Sequence, residues 1–100
     1  ILPEELCFHA QQAAEKALKA LLVARRIPFP WTHNLRTLLD LLVPAIDPPP
    51  EIQAATALTD YAVALLYPGV REAITEEEQK EAIQLATDVV CWVGSLIQPD

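Results

Sequence analysis

The stretch Cys7-Phe8-His9-Ala10-Gln11-Gln12-Ala13-Ala14-Glu15-Lys16-Ala17-Leu18-Lys19-Ala20-Leu21-Leu22 decides the fold. Alanine, leucine, lysine and glutamine are strong helix formers, and neither glycine nor proline interrupts them. Cys7, Ala10, Ala14, Ala17, Leu18 and Leu21 recur at helical spacing, which predicts one buried stripe. The alanines on it let a neighbouring helix come close. Glu15 precedes Lys19 by four residues, the favourable order for a surface pair that contributes about 0.3 kcal/mol. The periodic pattern predicts a helix from about Glu4 to Arg26, stopped by Pro28. His9, Gln12, Lys16 and Lys19 follow at spacings of three, four and three, on a stripe opposite the alanine face.

Outward from this helix, prolines act as punctuation. The nine prolines fall nearly all between periodic stretches. A second helix is expected from about His33 to Val43, with Thr32 as its N-cap and Leu35, Leu38, Leu39 and Leu42 on its buried face. A third is expected from about Glu51 to Leu66, with Ala55, Leu58, Ala62, Leu65 and Leu66 in register and Pro68-Gly69 closing it. The fourth runs from about Glu76 to Gln98. Thr75 and Glu78 form a capping box, and Glu76, Glu77 and Glu78 sit where the helix dipole favours acids. Ile83, Ala86, Val90, Val93 and Ile97 make one apolar stripe on it, and Leu85, Val89, Trp92 and Leu96 an adjacent second. A helix so apolar around its girth must bury two sides. No strand alternation, repeat or low-complexity run appears. These segments predict a single all-α domain over residues 1–100, an antiparallel up-and-down bundle of four helices.

Composition narrows the function. One hundred residues, 52% of them apolar, suffice for one modest core. Two distant glycines, Gly69 and Gly94, cannot build a phosphate cradle. The single serine, Ser95, is far in sequence from either histidine, so a serine triad is not expected. The net charge is −7, which argues against a general nucleic-acid footprint. Residues 1–36 nevertheless carry five of the seven bases and only three of the fourteen acids, so an anionic ligand is expected in the first third. Cys7 and Cys91 are too far apart for a metal knuckle and are expected to be reduced core thiols. No signal peptide or membrane span is recognisable, and a soluble cytoplasmic protein is expected. Two histidines 24 positions apart offer no metal-ligand spacing, and the acids near Glu76 are better explained as helix-start charge. No metal or cofactor is expected.

Two sites are conceivable. The His9, Gln12, Lys16 and Lys19 stripe reads either as a solvated or interface face or as a site for a nucleotide or another anion. Arg26 and His33, separated by six residues across a proline-containing loop, are the alternative: histidine would move a proton from a ribose hydroxyl while Arg26, or the nearby Arg36, held the phosphate of a metal-free ribonuclease. Phe29 and Trp31 in that loop are expected to plug the end of the bundle. Tyr61 and Tyr67 are expected in the core, with their hydroxyls at its rim.

Residues 7–22 strongly resemble the signature helix of the HEPN family, the higher eukaryote and prokaryote nucleotide-binding domain. Thr32-His33-Asn34-Leu35, followed by Leu38-Leu39, resembles the family's Thr-His-Asp-Leu helix. Leu66-Tyr67-Pro68 is similar to its Arg-Tyr-Pro element, and Thr75 to Ala86 to its acidic last helix. The resemblance implies an antiparallel helical bundle, usually a homodimer, in a cytoplasmic prokaryotic protein often encoded beside a minimal nucleotidyltransferase. Many members act as toxin-like ribonucleases or as nucleotide- or RNA-binding partners. Three departures matter. The family's first helix is expected to be missing, Leu66 stands for the family arginine, and no histidine follows His33, where ribonuclease members carry their arginine–histidine motif. A non-catalytic module binding a nucleotide, RNA or a nucleotidyltransferase is therefore expected.

Overall fold

A computed structural model describes residues 2–61 and 73–97. Among them the domain is all-α: α1 (Pro3–Ala24), α2 (Leu35–Leu42), α3 (Pro50–Gln53), a 3-10 segment (Ala54–Leu58) and α4 (Glu76–Ile97). Ala62, Leu65 and Leu66 of the third expected helix, Tyr67, the closing Pro68-Gly69 and Gln98 lie outside the described residues.

Helix α1 starts at Pro3, whose fixed φ suits the first turn, with Glu4 and Glu5 beside it. It ends in a Schellman motif: the Arg26 amide donates to the Val23 carbonyl (3.0 Å) and the Ile27 amide to the Leu22 carbonyl (2.9 Å). That reversal places Arg26 at φ 59°, the left-handed region that favours glycine.

Helix α2 begins two residues later than its sequence suggests. Asn34 caps it, its side-chain oxygen accepting from the Arg36 amide (2.9 Å) and the Thr37 amide (3.3 Å). Thr32 instead accepts from the Asn34 amide (3.0 Å), a local turn that competes with helix. The Thr59 hydroxyl accepts from the Leu35 amide (3.2 Å) and ties the third segment to this cap. All four expected leucines of α2 are buried.

The third segment is not one regular α-helix. Ile52, Ala55, Leu58 and Tyr61 are its buried residues, spaced strictly by three. A three-residue repeat matches the 3-10 geometry better than the α-helix, and Ala54–Leu58 adopts it. In α4 the capping box forms in both directions, Glu78 amide to Thr75 Oγ1 and Thr75 amide to Glu78 Oε1, each 3.1 Å.

Helices α1 and α4 pack along their length and run the same way, because Arg25 at the end of α1 reaches the Leu96 carbonyl at the end of α4 (3.3 Å). Helix α2, α3 and the 3-10 segment lie in the connection between them. The core is the leucine rows of α1 and α2 together with Ala82, Ala86, Val89 and Val93 of α4, each fully buried leucine contributing about 2 kcal/mol. No described helix is long and apolar enough to cross a membrane.

Candidate functional site

Four residues bring polar groups together where α1 meets the loop before α2. Gln11 and Glu15 occupy the α1 row that continues into Leu18 and Leu22, and both are buried, Glu15 to 3% exposure. The Gln11 amide donates to Glu15 Oε1 and to the His33 carbonyl, each at 3.0 Å. His33 Nδ1 lies 2.8 Å from the same carboxylate oxygen, and Lys19 Nζ lies 3.0 Å from Oε2. Burial pushes the Glu15 carboxyl up, but the hydrogen bonds from Gln11, His33 and Lys19 and the lysine charge outweigh it. The group is held below the usual carboxylate value. An ionised carboxylate can only accept, so Nδ1 of His33 carries the proton of that bond. Among the described residues no buried side-chain nitrogen or oxygen lacks a partner; the network is closed.

The same corner carries aromatics. Lys19 Nζ lies 5.2 Å from the Trp31 ring centre and 6.0 Å from that of Phe29. Trp31 meets His33 edge-on at 5.4 Å. Phe29 packs partly against the core, as a plug would. Trp31 does not: it is 86% exposed. The expectation that both rings fill the bundle end is corrected here. Pro28 and Pro30 on either side of Phe29, and the anchored His33, turn the chain so that position 31 faces solvent.

The basic stripe of α1 divides. At about 3.6 residues per turn, His9 and Lys16 form one line and Gln12 and Lys19 another, roughly 60° round the helix. Gln12 donates to Gln11 Oε1 (2.8 Å) and Lys19 pairs with Glu15, so this line joins the buried network. Lys16 is exposed and has no ion pair among the described residues, and exposed His9 meets the Phe8 ring edge-on (6.0 Å). Arg26 and Arg36 are not hydrogen-bonded to His33. Arg26 is exposed at the helix end, and Arg36 pairs with Asp40 (3.3 Å).

On the other side of α1 lies an open groove of about 370 Å³. Leu6, Ala10 and Ala13 form one wall and Ile83, Ala86 and Val90 the other, with His9 and Cys91 at the rim. Ile83 and Val90 are 46% and 45% exposed. Cys91 is a free, exposed thiol rather than a core one, whereas Cys7 is buried as expected. Gly94 continues this side of α4, and a Cβ there would meet nothing within 4 Å. Among the described residues no three potential metal ligands gather.

Sequence reasoning missed Gln11 and the burial of Glu15. The available signal was their place in a row with Leu18 and Leu22, where a polar residue must find partners.

An all-α domain with a signature helix, a polar corner and an apolar groove is the class these features define. The family model of the HEPN domain matches residues 2–96, and the chain belongs to the HEPN domain family. No curated protein and no solved structure shows a significant match to it.

Proposed function

We propose that this HEPN domain is a non-catalytic binding module that self-associates through the α1–α4 groove and binds a nucleotide, RNA or a nucleotidyltransferase partner. One observation carries the reading: the buried polar groups are consumed in a closed network, while the opposite side of α1 presents, among the described residues, an open apolar groove rimmed by His9 with Lys16 nearby on α1. Exposed apolar walls of this kind are characteristic of interaction sites. Small residues at Ala10, Ala13, Ala86 and Gly94 admit a second helix at short range. The ligand-facing residues are His9, Gln12, Lys16 and Lys19. Lys16 is the cation most available to an anion, since Lys19 already neutralises Glu15. Calorimetric titration with ATP and with a short RNA tests the assignment. Lys16→Ala together with Lys19→Ala should abolish measurable heat, and unchanged affinity would remove the stripe from the site. Sedimentation at rising concentration tests the association, and a monomer throughout would exclude it.

A second reading rests on the Glu15–His33 bond. With Nδ1 pinned, the half-exposed imidazole turns Nε2 outward, the arrangement of a general base oriented by a carboxylate. Residues Arg26, Arg36 and His33 would then serve a metal-free ribonuclease. RNA cleavage in EDTA that disappears with His33→Ala would establish it. No cleavage at high protein concentration would dismiss it.

A further inference from the structure

We propose that Trp31 is a stacking platform for an unpaired nucleobase, with Arg26 in the flanking chain taking a phosphate of a single-stranded RNA. The proposal rests on the RNA-binding reading above and names a site for it that the α1 stripe does not include.

Three observations carry it. Trp31 is the most exposed large apolar side chain among the described residues, at 86%. An indole this exposed, touched only at its edge by His33 and by the Lys19 ammonium among the described residues, gains little for folding, and rigid aromatics displayed on anchored loops are typical of recognition surfaces. Second, the loop is held still. The His33 carbonyl accepts from buried Gln11, and its ring is tied to buried Glu15. Asn34 caps the next helix, and Pro28 and Pro30 restrict the remaining backbone. A platform fixed before the ligand arrives loses little entropy on binding. Third, the flanking chain is basic: residues 25–36 hold Arg25, Arg26 and Arg36 and no acid, in a chain of net charge −7. Arg36 is paired with Asp40 and Arg25 reaches the Leu96 carbonyl, so exposed Arg26 is the arginine most available to a phosphate. Aromatics interleaved with cations are the recurring design of single-strand binding surfaces. Lys19 stands at one side of the indole, and an exposure of 86% leaves room for a base on the ring. A duplex, whose bases are already stacked, has no free base for it.

The test uses the full chain and a labelled single-stranded octaadenylate, followed by fluorescence anisotropy, with a blunt RNA duplex as comparison. The single strand should bind more tightly than the duplex. Trp31→Ala should weaken it at least about fivefold, the lower end of what base–aromatic stacking supplies, and Trp31→Phe should restore most of the loss. Lys80→Ala, at an exposed lysine of α4, should change it less than twofold. Arg26→Ala should lower the slope of log affinity against log salt by about 0.7, one phosphate contact. If Trp31→Ala binds like the wild type while Lys16→Ala does not, the platform is wrong and the stripe keeps its role. Preference for the duplex also overturns the platform. If neither RNA nor ATP binds at all, the ligand reading itself falls. Trp31 is exposed, so circular dichroism should show its variants folded.

Discussion

The two sides of α1 solve opposite problems. Toward α2, positions that continue a core row hold Gln11 and Glu15, and the chain surrounds them with partners until nothing is left unsatisfied. Toward the exposed flank of α4, Ala13, Ile83 and Val90 are open to water and Leu6 partly so, and none of the described residues closes the groove over them. A polar group in a core needs a specific neighbour, so the first side fixes one geometry: where the loop after α1 returns, and hence where Trp31 stands. An apolar wall needs only another apolar surface, so the second side accepts a partner. Buried polarity here specifies position, and exposed apolarity provides adhesion.

The comparison breaks most directly at Glu15. Glu15→Ala leaves a buried amide and an ammonium group without their acceptor, and should cost about 3 kcal/mol in urea unfolding. Should the loss stay under about 1 kcal/mol, the network would be ornament rather than anchor. The pH dependence has a definite sign. The folded-state carboxyl ionises below its ordinary value of 4.5, so near that pH the unfolded chain binds more protons than the native one. The contribution of Glu15 is therefore complete well above pH 4.5 and fades as the pH falls through the lower folded value. Wild-type stability should drop on that acid limb, and Glu15→Ala should flatten it.

The groove is probed by Val90→Glu. At 45% exposure the change should alter the stability of the isolated chain by less than about 0.5 kcal/mol. It should weaken self-association at least tenfold, about 1.4 kcal/mol, in sedimentation equilibrium. A large loss of fold stability would mean that the groove belongs to the core. Gly94→Ala sharpens the same contrast with effects of opposite sign. Alanine is favoured over glycine inside a helix by about 1 kcal/mol, and the added methyl meets open space within the chain. Thermal stability should rise while association weakens, because the methyl would occupy the space that an approaching helix needs. A rise in both would show that no backbone comes close at Gly94.

How much of this was legible follows from the same contrast. Apolar periodicity fixed α1, α2 and α4 to within a few residues, and Thr75 with Glu78 announced a capping box that forms as written. Those signals are local: a helix face and a cap depend on residues within four of each other. The Glu15–His33 bond joins positions 18 apart in sequence, and no spacing rule reaches it. Glu15 and Lys19 read as a surface pair because the i,i+4 pattern is the same whether or not a loop later covers it. Asn34 displaced Thr32 as cap because two residues two positions apart could each fill that role and the bond from the Leu35 amide to Thr59 favours the later start. The third segment hid its 3-10 run because Ala55 and Leu58 suit both periods. Trp31 went the other way from expectation, since a tryptophan between two helices is apolar on paper and only the path of the loop decides which side it faces.

The smallest expected effect concerns the residue that separates the two sides. Arg26 ends α1 at φ 59°, and an L-residue there carries a cost of about 1 kcal/mol that glycine avoids. Glycine also adds about 0.5 kcal/mol of conformational entropy to the unfolded chain, so Arg26→Gly should raise stability by about 0.5 kcal/mol, read as a small increase in the urea midpoint at constant slope. The buried network and the groove should both remain as they are, since Arg26 makes no side-chain bond to either. The same variant should bind single-stranded RNA less tightly, because it removes one of the three arginines in the chain flanking Trp31. A gain in stability with a loss in affinity would mean that the strained turn is kept for the charge it displays. Lower stability would instead point to a packing role for the arginine stem at the helix end.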